Sequence, residues 1–176
     1  MLLLYDLQSP INIGQVLRSG EQFQVPVVIY DPRHIFDNPA HVTTISDFSC
    51  GALERHPPEF ISDYSTYKAH RGGGGRFIAT CLDDKAIVLP QFSFHSEDVI
   101  LLGNEYDGLP AHIIEECDST MYIPLPQAVL YKPQSFSPID PVRSRSVAQN
   151  GIPNLNVAMT ASIISYNMYL QQHQPA

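Results

Sequence analysis

Short apolar runs separated by polar punctuation dominate the chain. Leu2 to Tyr5 is the first, and Ser9-Pro10 behind it is a helix-start signal, a capping hydroxyl followed by proline. The pattern predicts a helix from about Ile11 to Phe23. Val27-Val28-Ile29-Tyr30 is β-branched and stopped by Asp31-Pro32, so the opening reads strand, helix, strand, a unit that implies a parallel sheet. Between 31 and 70, Pro32, Pro39, Pro57 and Pro58 interrupt a weak periodicity, which predicts only a short helix near Asp47 to Leu53 and a strand near Phe60-Ile61. Arg76 to Cys81 reads as a central strand and Ala86 to Phe92 as another extended stretch. Asp98 to Gly103 is apolar without interruption until its glycine, the pattern of a strand buried on both faces. Pro110 to Glu116 predicts a helix, Met121 to Pro124 a strand, and Asn154 to Gln171 a closing helix. That last helix is apolar on nearly every side and has to be covered, by its own core and a partner subunit. Residues 127–153 hold Pro133, Pro138, Pro141 and Pro153 with little periodicity and read as a long loop insertion.

Composition narrows the class. A chain of 176 residues, 44% hydrophobic and 16% charged, is expected to form one globular domain over 1–176. Ten Lys and Arg against eighteen Asp and Glu give a net charge of −8, the wrong sign for holding nucleic acid by bulk electrostatics, so any such contact must be local. Cys50, Cys81 and Cys117 lack CxxC spacing and argue against a disulfide framework or zinc ribbon. Seven histidines without HExxH or paired-ligand spacing predict no metal site. The apolar opening is short and has no basic leader, which favours a buried strand over a signal peptide. No apolar run reaches the ~20 residues of a membrane span. A reducing, cytoplasmic setting is the expectation.

Three constellations can carry chemistry. Asn12-Ile13-Gly14-Gln15-Val16-Leu17-Arg18 opens the first helix. Read alone, Asn12 is a cap and Arg18 a solvated charge; six residues on a helix are about 600° of turn, so the two need not share a face. Gly103-Asn104-Glu105-Tyr106-Asp107-Gly108-Leu109 stands at the carboxyl end of a buried strand, where open α/β sheets bind ligands. There Gly103 admits a close approach and Glu105 is an acceptor, or else the segment is a polar turn with Gly108 supplying a positive φ. The third pairs Ile123-Pro124-Leu125 with Asn154-Leu155-Asn156-Val157-Ala158, in which either asparagine can cap the last helix.

In this order and spacing the three resemble the motifs of the SpoU/TrmH family of SPOUT methyltransferases, over nearly the whole chain. Asn12, Gly14 and Arg18 match motif one; Gly103, Glu105, Gly108 and Leu109 match motif two; Ile123-Pro124 and Asn154-Leu155-Asn156-Val157-Ala158 match motif three. The resemblance implies an α/β, parallel-sheet SPOUT domain with a C-terminal deep trefoil knot, one of the rare exceptions to unknotted topology. It implies a homodimer that uses S-adenosyl-L-methionine to methylate a ribose 2'-hydroxyl of RNA, tRNA favoured over rRNA. By the same resemblance Arg18 is catalytic, with Asn12, Glu105 and Asn156 around it, and cofactor contacts come from Ala79, Thr80, Gly103, Ile123, Leu125, Asn154 and Leu155.

The chain departs from the family pattern at Asn104 and Asn154, where serine is common, and in the 127–153 insertion, whose Lys132, Arg143 and Arg145 suggest a lid or RNA-contacting flap. The glycine run 72–75 between Arg71 and Arg76 is expected to be a flexible, substrate-facing loop and lacks the GKS or GKT of a P-loop. Two competing readings remain at this level: a knotted cofactor-binding dimer that acts through a protein partner, and an unknotted flavodoxin-like nucleotide-binding module.

Overall fold

The computed structural model describes residues 1–71, 74–125 and 155–173. Among the described residues seven strands form one sheet: β1 Leu2–Tyr5, β2 Val27–Tyr30, β3 Glu59–Ile61, β4 Phe77–Thr80, β5 Ile87–Val88, β6 Val99–Leu102 and β7 Ser119–Tyr122. Their order is β3-β2-β1-β6-β4-β7-β5, and every pairing is parallel. The central strands are continuous apolar runs because both faces are covered. Leu2 and Leu4 enter one core with Ile78, Ile100 and Leu102, while Leu3 enters the other with Phe77, Ala79, Val99 and Leu101. Each fully buried leucine or isoleucine removed from water contributes about 1.5–3 kcal/mol.

Among the described residues six α-helices cover the sheet: α1 Pro10–Phe23, α2 Pro39–Ser49, α3 Ala52–Arg55, α4 Tyr64–His70, α5 Ala111–Glu115 and α6 Val157–Gln172. Residues of α1, α2, α3 and α6 build the first core, and Tyr64 of α4 and Ile113 of α5 the second. The start of α1 follows its signal: Ser9 Oγ accepts the Asn12 amide at 3.3 Å, with Pro10 in the first turn. It stops where Gln24 turns left-handed at φ 57° and returns its N–H to Gly20 and Glu21. The chain leaves β1 toward β2 and β3 on one side, whereas β6, β4, β7 and β5 lie on the other. The carboxyl ends of β1 and β6 therefore flank a reversal of strand order, where open α/β sheets place ligands.

Four expectations need correction. Of Ala86 to Phe92 only Ile87–Val88 joins the sheet, and Leu89–Gln91 turns into a 3-10 helix, since Pro90 has no N–H to give a ladder. The helix expected near Asp47 to Leu53 is two helices, α2 and α3, separated by Cys50 and Gly51, both at positive φ. α4 was not expected from the weak periodicity; Asp63 caps it by accepting the Thr66 amide. α6 starts at Val157 rather than Asn154, and the chain's own core leaves its Met159, Tyr166 and Leu170 exposed. The 127–153 insertion lies outside the described residues, as does Asn154, and with them the connection by which α6 would enter a knot. No helix among the described residues is long and apolar enough to cross a membrane.

Candidate active site

The loop after β6 is built around its own backbone. Asn104 Oδ1 accepts the amides of Tyr106 (2.9 Å) and Asp107 (2.8 Å), and the Gly108 amide returns to the Asn104 carbonyl at 3.1 Å. Gly108 supplies the left-handed residue at φ 71°. A Cβ on Gly103 would stand 2.3 Å from the Gly108 carbonyl carbon, so the turn can close only over glycine. Gly14 has a different reason: its Cβ would stand 2.6 Å from the Ile45 carbonyl oxygen, and glycine lets α1 lie against α2.

That turn aims Glu105 across the switch point at the start of α1. Its carboxylate accepts the Gln8 amide at 3.0 Å, the Ser9 amide at 3.1 Å and Asn12 Nδ2 at 2.8 Å. Asn12 Oδ1 then accepts Asn156 Nδ2 at 3.0 Å, and Asn156 Oδ1 accepts the Ala158 amide at 2.8 Å, capping α6. One continuous hydrogen-bond chain thus joins the three constellations singled out in the sequence. The carboxylate end of this chain takes donors from a helix N-terminus, where negative charge is favoured.

Arg18 stands apart. It lies six residues beyond Asn12, about 9 Å along the helix and on another side of it. Its side chain is exposed and makes no hydrogen bond or ion pair among the described residues. With Ser19, Met159 and Ser162 it lines a cleft of about 250 Å³ between α1 and α6, whose floor is tied by the 2.7 Å contact of Ser19 Oγ with Ser162 Oγ.

Three of the residues assigned to the cofactor stand on one rim. Thr80, Gly103 and Ile123 follow one another at the carboxyl ends of the adjacent strands β4, β6 and β7. Thr80 Oγ1 donates to the Leu101 carbonyl at 2.8 Å, so its hydroxyl ties β4 to β6. Ala79 is fully buried in the second core and reaches the rim only through its backbone. Ile123 packs partly buried against the first core, and Leu125 and Leu155 are half-buried. Next to Thr80, the Cys81 thiol is pushed up to about 11 by burial, assisted by Asp83, which keeps it protonated near neutrality. Among the described residues no group of His, Cys, Asp and Glu is arranged to hold a metal.

Sequence reasoning missed Asp6 and Arg33. Asp6 follows β1 in a left-handed conformation at φ 56° and takes both Arg33 Nε (2.7 Å) and Nη2 (2.9 Å). The Asn104 amide approaches the same carboxylate at 3.5 Å, so the pair braces the loop after β6. No local spacing signals this, since the partners are 27 and 98 residues apart. The basic residues around the glycine run are likewise committed elsewhere. Arg76 is bidentate with fully buried Asp98, Arg71 meets Glu97 at 3.6 Å and Lys68 meets Glu116 at 3.7 Å. They gather at the amino end of β4, opposite the rim; Gly72 and Gly73 lie outside the described residues.

Comparison with known proteins agrees with this arrangement. The family model of the SpoU rRNA Methylase family matches residues 1–131. The chain is 27% identical over 128 residues to the 23S rRNA (guanosine-2'-O-)-methyltransferase RlmB of Acinetobacter baylyi, covering 71% of this chain and 50% of that protein. It is 25% identical over 178 residues to RlmB of Coxiella burnetii, covering 100% of this chain and 60% of that one. The chain thus spans half to three-fifths of the length of these relatives. Among solved structures, one concerned with 2-OH methylation of C/U34 on tRNA superposes with a TM-score of 0.74 at 20% identity, over 99% of this chain and 96% of the other. The SpoU methyltransferase AviRb from Streptomyces viridochromogenes in complex with AdoMet gives 0.73 at 20% identity, over 99% and 58%. The parallel sheet, the three joined constellations and the match over most of the chain place it in one group: it belongs to the SpoU rRNA methylase family.

Proposed function

We propose that the chain, acting as a single domain over 1–176 and as a cytoplasmic homodimer, transfers a methyl group from S-adenosyl-L-methionine to a ribose 2'-hydroxyl of RNA, with tRNA the favoured substrate. The observation that carries the reading is the hydrogen-bond chain from Glu105 through Asn12 to Asn156, which holds together the three segments that resemble the family's motifs. The tRNA preference rests on the likeness to the structure concerned with C/U34 on tRNA, which matches this chain nearly end to end.

The residues present suit the cofactor. Half-buried Ile123, Leu125 and Leu155 offer apolar walls for an adenosyl group, and the strand ends at Thr80 and Gly103 offer backbone polar groups, with Ala79 behind them; Asn154, the other residue assigned to the cofactor, lies outside the described residues. S-adenosylmethionine supplies a sulfonium-bound methyl with a good leaving group. The protein's share is then to place a ribose oxygen in line and favour loss of its proton, work dominated by orientation. A guanidinium carries its charge at any working pH, so Arg18 acts as a fixed positive charge that orients the ribose and stabilises the developing alkoxide. Glu105, Asn12 and Asn156 position α1 and α6, the two helices that bound the Arg18 cleft. The exposed apolar residues of α6 beside that cleft support a second copy docking there and completing the site.

The test is incorporation of labelled methyl from S-adenosylmethionine into total tRNA and, separately, rRNA, followed by mapping of the modified ribose. Arg18→Ala should lower turnover about a hundredfold or more, the usual cost of removing one charge-stabilising donor. Equal labelling by both proteins would remove Arg18 from the chemistry.

A further inference from the structure

A second cleft, of about 320 Å³, opens at the far edge of the sheet between β3 and α4. Phe60 forms one wall. It is 52% exposed, and a T-shaped contact with Phe36, ring centroids 4.7 Å apart, fixes its plane. Ile61, Ser62, Asp63, Thr66, Tyr67 and His70 line the remainder, and neither lysine nor arginine does. An anionic phosphate finds no counter-charge there. Asp63 accepts two hydrogen bonds from Thr66, at 2.9 and 2.6 Å, on one carboxylate oxygen. Those bonds hold its carboxyl below the usual range, so at neutral pH it is an anionic acceptor with lone pairs to spare.

The cleft also lies within reach of the candidate active site. Tyr5, Tyr30 and Ile61 stand in register across the carboxyl ends of β1, β2 and β3. Three strand spacings separate β3 from β6, the nearest strand of the cofactor rim, about 14 Å. At roughly 3.4 Å per stacked nucleotide, that is the reach of about four nucleotides. An exposed aromatic ring beside a hydrogen-bonding rim is how unpaired bases are gripped, by stacking and by contacts to their edges.

We propose that this cleft receives an unpaired, amino-bearing base of the RNA substrate, stacked on Phe60 and donating its exocyclic amine to Asp63. The assignment rests on the RNA-methyltransferase reading for its occupant. It makes Phe60 and Asp63 specificity-determining residues for a nucleotide several positions along the strand from the methylated one. A peptide strand added to the β3 edge is the less suitable occupant, because β3 offers only three residues of ladder.

The test uses equilibrium binding of hexacytidylate and hexauridylate to the full chain, two probes that differ at the position where cytosine carries an amine and uracil a carbonyl. Hexacytidylate should bind severalfold more tightly. Phe60→Ala should weaken it at least fivefold, the effect of losing one stacked base, whereas Phe60→Tyr should retain affinity. Asp63→Asn, which keeps a capping side chain on α4, should bring the two oligonucleotides to equal affinity. Unchanged binding in Phe60→Ala, or equal binding of both probes to the unaltered chain, overturns the proposal. The readout is binding rather than methyl transfer. A chain that binds these probes as expected yet transfers no methyl group would end the catalytic reading and leave the cleft assignment standing.

Discussion

Glu105 has no spare direction. Its two oxygens face three donors, the amides of Gln8 and Ser9 and the side-chain nitrogen of Asn12, and the last of these partners is 93 residues away in the chain. A glutamine of the same shape can face the Ser9 and Asn12 donors with its oxygen, but its amide nitrogen would then oppose the Gln8 N–H. Two donors facing each other in a part-buried site cost about 1–3 kcal/mol. Glu105→Gln is therefore expected to lower the urea unfolding free energy by about that amount, while Asn104→Ser, which keeps an oxygen able to accept the turn amides, should lose less. Equal stability of Glu105→Gln and the unaltered chain would mean that the hydrogen-bond chain to Asn156 is not what holds the first turn of α1 against the loop after β6.

Among the elements, α6 shows how far the sequence pattern reaches. Its composition correctly marks a helix needing cover, but not which side the chain's own core leaves bare. The core takes Ala158, Ala161, Ile164 and Met168, and the residues left outside, Met159, Tyr166 and Leu170, recur at the spacing of one helical face. Phe23 of α1 extends this surface, with ring centroids 5.8 Å from Tyr166 and 6.2 Å from Tyr169. A charge placed there should repel a second copy without disturbing the fold. Tyr166→Glu is expected to sediment as a monomer where the unaltered chain sediments as a dimer, with unchanged circular dichroism; a dimer in both would clear this face of that role. Elsewhere the strands were legible because uninterrupted apolar runs such as Val99–Leu102 have one meaning in a sheet covered on both faces. α2 and α4 were not, because their buried contacts are few: Ile45 and Ser49 in one, Tyr64 in the other. The constellations were legible as a set of motifs, yet the sequence did not show that Asn12, Glu105 and Asn156 bond to one another while Arg18 stands on a separate side of α1.

At the scale of the whole molecule, the charge balance decides how RNA can be held. Of the ten lysines and arginines, seven fall in the described residues. Arg33, Arg55, Lys68, Arg71 and Arg76 are each paired with a carboxylate. Arg18 and Lys85 are the described cations whose side chains have no such partner; Lys132, Arg143 and Arg145 lie outside the described residues. A chain of net charge −8 thus offers at most five uncommitted cations per copy to phosphate. Binding to single-stranded RNA weakens with salt at a logarithmic slope of about −0.7 per neutralised phosphate, so the slope should be no steeper than about −3.5 per bound copy. Lys85→Ala should make it shallower by about 0.7, and Arg71→Ala, whose guanidinium already faces Glu97, should leave it unchanged. Affinity measured between 50 and 200 mM salt, roughly the range over which such slopes are read, checks this. A markedly steeper slope would require the internal ion pairs to open on RNA, and Arg71→Ala would then reduce it as Lys85→Ala does.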